Sequence, residues 1–82
     1  LLAISTSGNS ANIIAAIEAA HERDMRVAAF TGNDVGHIAH ILQAQAILLN
    51  VAHQRTARIQ EIHILLIHAI CDGIDQLLMG NV

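Results

Sequence analysis

The sequence predicts an α/β fold with a parallel sheet, and three observations carry that prediction. Three short apolar runs, LLAIS (1–5), MRVAAFTG (25–32) and AILLNV (46–51), alternate with segments of helical periodicity. The segments between them are long enough for crossover helices, which a parallel return requires. Hydrophobic residues make up 54% of the chain while Phe30 is its single aromatic, so the core must be Ile, Leu, Val and Ala, the usual filling of a buried parallel sheet.

Taken in order, LLAIS is short, apolar and bounded by the turn signal STSGNS (5–10), which makes it a buried strand. SANIIAAIEAAHER (10–23) is a helix, because Ile13, Ile14, Ile17 and Ala20 recur at helical spacing with Glu18 and Glu22 on another face. Ser10 or Asn9 is placed to N-cap it with a side-chain oxygen. The second strand candidate is 25–32, and GND after it is turn chemistry. VGHIAHILQA (35–44) is weakly helical, with Ile38, Ile41 and Leu42 on one side. The run 46–51 is the third strand, and 57–80 is a long helix weakly interrupted by Gly73 and capped by Gly80. The order is β-α-β-α-β-α, a three-layer αβα architecture in which three strands leave two raw edges, as in half of a doubly wound domain.

On the final helix Glu61, His68, Asp72 and Asp75 fall in one narrow polar stripe, and isoleucines and leucines cover most of the remainder. Such a helix needs cover on most sides, from further chain or from another subunit. Leu1 enters a strand pattern at once, with no initiator Met and no basic leader, so the chain is expected to begin inside a domain.

Composition narrows the function classes. A net charge of −3 with four Arg and no Lys offers no basic stripe for a nucleic-acid backbone. The longest uncharged apolar run, IHILLIHAIC, has 10 residues against the roughly 20 of a bilayer span. No membrane partner is expected. The single Cys71 cannot form an intramolecular disulfide and is expected as a small buried hydrophobe in a reducing compartment.

STSGNS lies where the first strand hands over to the first helix, the crevice in which open α/β sheets bind ligands. The hydroxyls of Ser5, Ser7 and Ser10, a glycine, and a helix N-terminus together suit a phosphate or sulfate, while a serine-rich turn with an N-cap is the plainer alternative. Without a GK[ST] sequence this is not a nucleotide triphosphate P-loop, and a sugar phosphate suits it better. Among six histidines, His21, His37 and His40 are expected at the surface, and His63 and His68 stand about 140° apart on the last helix, unable to share a metal from one face. His68 and Asp72 are either a ligand with its orienting carboxylate or a surface pair. Arg55 and Arg58 either meet a ligand anion or are solvated charges.

STSGNS (5–10) together with RIQEIHILLIH (58–68) resembles the sugar isomerase (SIS) fold, and within it the bacterial phosphoheptose isomerases. The resemblance spans nearly the whole chain and identifies 1–82 as the carboxyl-terminal half of a SIS domain. It implies a cytoplasmic homotetramer with sites between subunits that isomerises sedoheptulose 7-phosphate to D-glycero-D-manno-heptose 7-phosphate for lipopolysaccharide. It also implies that Ser5, Thr6, Ser7 and Ser10 hold the phosphate, that Gln60 contacts substrate and zinc, and that His68 is an acid/base and zinc ligand; His63 inherits no role. The family's Gly-rich loop, catalytic Glu and further zinc-binding His belong to an upstream half that is not in this sequence, so these residues alone are expected to be inert. Ala52 and Gln54 stand where relatives commonly carry proline, and Ala57 where some carry an acidic residue.

Gln60 and His68 are eight residues apart, about 12 Å along a helix and about 80° around it. They join one metal only by leaning together, or else serve sites shared between copies. SIS relatives that bind the replication initiator are the rival class; they share ARIQE.H and tend to lose the last histidine, so His68 favours the enzyme.

Overall fold

A computed structural model describes residues 1–33 and 36–80 of the chain. Its elements follow the predicted order: β1 (Leu2–Ser5), α1 (Ala11–Glu22), β2 (Ala28–Gly32), α2 (Ile38–Ile41), β3 (Ile47–Val51) and α3 (Thr56–Met79). The three strands form one parallel sheet in the order β1-β2-β3. The register pairs Ala3 with Ala29 and Ser5 with Thr31, then Ala29 with Leu48 and Thr31 with Asn50.

Because side chains alternate along a strand, those residues share one face of the sheet. On that face Ala3 and Ala29 pack with Ile17 and Ala20 of α1, Ile38 of α2 and the adjoining Val27; Ile13, Ile14, Ile41, Leu42 and Leu48 flank them. The α1 stripe read from the sequence is therefore the stripe that packs. The opposite face carries Phe30, which is fully buried, and α3 lies over it through Ile59 and His63. The sheet thus has helices on both faces.

Two boundaries differ from expectation. The second strand begins at Ala28 rather than at residue 25, because the Met25 N–H donates to Ala20 O and the Asp24 N–H to His21 O, closing the end of α1 with Asp24 at φ 57°. The left-handed turn consumes residues that look like strand by composition. Of the helix expected over 35–44, residue 35 lies outside the described residues, as does residue 34 of the GND turn, and only Ile38–Ile41 is helical. One turn cannot offset its own nucleation, so α2 depends on burying Ile38, and Leu42 already has extended backbone.

α3 runs through Gly73 without a break and ends at Gly80, whose N–H donates to Gln76 O at φ 71°. It has 24 residues and holds an 18-residue window of mean hydropathy 1.5, so by length and composition it is, among the described residues, long and apolar enough to cross a bilayer. The uncharged run is shorter than the helix because Glu61, Asp72 and Asp75 interrupt the apolar sequence without ending the helix. Packing of Ile59 and His63 on the sheet is how a core helix is attached. The remainder of α3 is largely uncovered, with Leu77 87% and Leu78 79% exposed. Cys71 is exposed as well, contrary to the expected buried position, because it lies beyond the part of α3 that meets the sheet.

Candidate functional site

The serine loop is a small, internally bonded structure. The Gly8 N–H donates to Ser5 Oγ (3.1 Å) and to Ser5 O (3.2 Å), with Gly8 at φ 71° where a side chain is disfavoured. Ser5 itself is buried, since β1 turns its side chain toward α1. The Asn9 N–H donates to Ser7 Oγ (3.1 Å), and Asn9 Nδ2 donates to Ser7 O (3.3 Å).

Ser10 occupies the N-cap position of α1, but neither it nor Asn9 caps the helix by a side-chain bond. Ser10 Oγ lies 3.1 Å from Ser5 Oγ, and Asn9 Oδ1 accepts from the His37 N–H (2.8 Å). The expected cap is thus replaced by contacts within the loop and to the segment before α2. The consequence is chemical: the first-turn N–H groups of α1 keep no side-chain acceptor and carry the positive end of the helix dipole. No acidic residue stands in that first turn to compete with an anion.

A second loop props the first. The Ile38 N–H donates to Gly8 O (2.9 Å), and Gly36 approaches so closely that a Cβ there would stand 2.5 Å from Ser7 O. Gly32, at the end of β2, is wedged between the serine loop and α3; its Cβ would meet Ile59 at 2.6 Å and Thr6 O at 2.9 Å. Ser7 is exposed and Thr6 and Ser10 are half-buried, so three of the four expected phosphate-binding side chains have access to solvent.

Beside this loop the carboxyl ends of β2 and β3 carry a polar chain. Thr31 Oγ1 donates to Asn50 Oδ1 (2.9 Å), and Asn50 Nδ2 donates to Asn33 O (3.3 Å). Thr31 is fully buried and is the register partner of Ser5. Sequence reasoning passed over Thr31, Asn50 and Gly36 and offered Asn9 only as an N-cap; each of the four has a partner at least 17 residues away. The only local signal was Asn9 inside STSGNS.

On α3, Gln60 and His68 are both exposed, and neither makes a side-chain hydrogen bond among the described residues. His68 lies about 140° around the helix from His63, which faces the sheet, so its side chain leaves the opposite side of α3. Asp72 takes a long contact from Gln76 Nε2 (3.5 Å) rather than pairing with His68. Arg58 pairs with Glu61 at 2.7 Å, the solvated reading of that charge, and the Arg55 N–H donates to His53 Nδ1 (3.0 Å). His37 and His40 are exposed as expected, and His21 is half-buried with Nε2 accepting from the Gln43 N–H (3.4 Å). Among the described residues no three His, Cys, Asp or Glu side chains come together around a metal-sized space. A small cleft lined by His21, Asp24, Arg26, Gln43 and Gln45 opens at the other end of the sheet, beside the amino ends of β2 and β3.

Comparison with known proteins bears on this arrangement. The family model described as the SIS domain matches residues 1–32, which include β1, the serine loop and α1. Phosphoheptose isomerase of Neisseria meningitidis serogroup C is 70% identical over 79 residues, 96% of this chain and 40% of that protein. The phosphoheptose isomerase of Laribacter hongkongensis is 61% identical over 81 residues, 99% of this chain and 41% of that protein. Among solved structures, phosphoheptose isomerase from Neisseria gonorrhoeae superposes with TM-score 0.89 at 68% identity, over 92% of this chain and 41% of that one. A phosphoheptose isomerase from Francisella tularensis gives TM-score 0.90 at 45% identity, over 93% of this chain and 41% of that one. The chain spans about 40% of the length of the relatives it matches.

Proposed function

The chain is a SIS-type α/β unit related over nearly its whole length to phosphoheptose isomerases, and from that kinship we propose that it is the carboxyl-terminal part of an enzyme converting sedoheptulose 7-phosphate to D-glycero-D-manno-heptose 7-phosphate. The observation that carries the reading is the coexistence of an anion-ready serine loop and a helix presenting Gln60 and His68 within one stretch 70% identical to such an enzyme.

In this reading the phosphate sits on the first turn of α1. Thr6, Ser7 and Ser10 donate to it along with the free N–H groups, while buried Ser5 holds the loop in shape through Gly8 and Ser10. The grip lies at one end of the sugar and the reacting carbons at the other, so its contribution is orientation. At the reacting end a proton leaves C1, an enediolate forms across C1 and C2, and a proton is returned to C2 while a hydroxyl proton passes from O1 to O2. No atom is gained or lost. His68 moves one of these protons, imidazole being suited to both giving and taking. Its partner carboxylate comes from outside this chain.

Because His68 leaves α3 on the side turned from its own sheet, it serves a site completed by a neighbouring copy. The uncovered apolar surface of α3 is then the contact between copies, in a homotetramer. Zinc would be held by Gln60 and His68 together with donors from beyond these residues, and would supply Lewis-acid stabilisation of negative charge on the sugar oxygens. A cytoplasmic supply of heptose phosphate for lipopolysaccharide is the accompanying role.

The test is direct. Full-length protein with zinc, given sedoheptulose 7-phosphate, is expected to produce the aldose, followed by NMR of the anomeric protons; a ketose that stays unchanged would overturn the reading.

A further inference from the structure

The sheet-facing stripe of α3 is Ile59, His63, Leu66 and Ile67, and His63 is its single polar member. Its side chain is only 2% exposed, its ring lies 5.6 Å from that of Phe30, and its Nε2 is 2.8 Å from Thr31 O. A carbonyl only accepts, so the hydrogen is on Nε2. Nδ1 is buried without a partner among the described residues. Packing alone would be served by another isoleucine, and burial of a half-satisfied imidazole carries a cost. What the imidazole adds is direction: one directed bond between α3 and the backbone of β2, on a surface otherwise held by apolar contacts.

We propose that His63 is a positioning residue of the isomerase, setting the rotation of α3 on the sheet through its bond to Thr31 O and so the direction in which Gln60 and His68 are presented. This rests on the isomerase reading above. Thr31 is the register partner of Ser5, and the next residue, Gly32, is clamped between Ile59 and Thr6 O. The bond therefore refers α3 to the same strand end that supports the serine loop. The leverage is large: a rotation of about 20° moves a side-chain tip at about 6 Å from the helix axis by about 2 Å. Displacements of about 1 Å at reacting groups cost on the order of a hundredfold in rate.

The experiment compares His63→Leu, which fills space without a donor, with His63→Gln, whose Nε2 still reaches the carbonyl, in full-length protein. His63→Leu is expected to lower kcat by about 10- to 100-fold with KM for the sugar phosphate within about twofold, since the serine loop is untouched. His63→Gln is expected to restore kcat to within about threefold of the parent. If His63→Leu fails to fold, His63→Asn, too short to reach the carbonyl, takes its place with the same expected loss. A parental kcat in the donor-free variant, or equal loss in His63→Gln, overturns the proposal. A parent protein without turnover would instead count against the isomerase reading, so the two failures are distinct.

Discussion

Asn9 Oδ1 accepts a 2.8 Å hydrogen bond from the backbone N–H of His37, tying the serine loop to the segment that leads into α2. Asn9 also holds Ser7 O from its amide nitrogen, so one side chain bridges two loops at the mouth of the site. Asn9→Ala removes both bonds. The expected result is a loss of about 0.5–1 kcal/mol in denaturant unfolding, small because Asn9 is exposed, and a several-fold rise in KM for the sugar phosphate. Unchanged KM would mean that the loop keeps its shape without the bridge.

Two glycine-to-alanine changes should have opposite signs. At Gly36, φ is +66° and an added Cβ would stand 2.5 Å from Gly8 C and Ser7 O, so Gly36→Ala must displace the serine loop as well as strain the backbone. A loss of about 1–3 kcal/mol and weaker phosphate binding are expected. At Gly73 an added Cβ meets nothing within 4 Å, and the residue lies inside a continuous helix. Gly73→Ala is expected to gain about 0.5–1 kcal/mol of stability from helix propensity. Thermal unfolding of the two variants side by side checks both.

Ser5 and Ser7 separate loop architecture from ligand contact. Ser5 is buried and bonds Gly8 and Ser10, so Ser5→Ala should cost about 1 kcal/mol and also weaken phosphate binding. Ser7 is exposed, and among the described residues its Oγ accepts only the Asn9 N–H two positions on. Ser7→Ala should leave the melting temperature nearly unchanged while lowering affinity for inorganic phosphate, measured by calorimetry. The reverse ranking would identify the loop as a structural turn.

His68 is exposed and makes no side-chain hydrogen bond among the described residues, so His68→Ala should not disturb folding. Turnover of sedoheptulose 7-phosphate should be abolished, with a circular dichroism spectrum and melting temperature like the parent's. Parental turnover in this variant would remove His68 from the reaction.

The far end of α3 carries Ile74, Leu77, Leu78 and Met79 with at least 46% of each exposed. If copies meet there, Leu77→Ser combined with Leu78→Ser should shift full-length protein toward smaller species in sedimentation velocity. An unchanged sedimentation coefficient would place the subunit contact elsewhere.

Much of the fold was legible because it rests on local pattern. Ile13, Ile14, Ile17 and Ala20 define the packed side of α1 by spacing alone, and the three apolar runs became the three strands. The late start of β2 was not legible, because Asp24 adopts a left-handed backbone that composition does not announce. α2 was overestimated for a different reason: its length depends on how much of it reaches the core, and within it only Ile38 is fully buried.

By itself the sequence determined the order of elements, the stripe of α1, the place of STSGNS at a strand-to-helix junction and the kinship carried by that motif with RIQEIHILLIH. Tertiary structure decided which polar groups meet: Asn9 with His37, Thr31 with Asn50, and His63 with Thr31. It also decided that His68 faces away from its own sheet and that Cys71 is exposed. The physical reason is range. Periodicity and turn chemistry act over a few residues and are written in consecutive letters, whereas a hydrogen bond across 19 to 32 residues exists only once the sheet register and the seating of α3 are set.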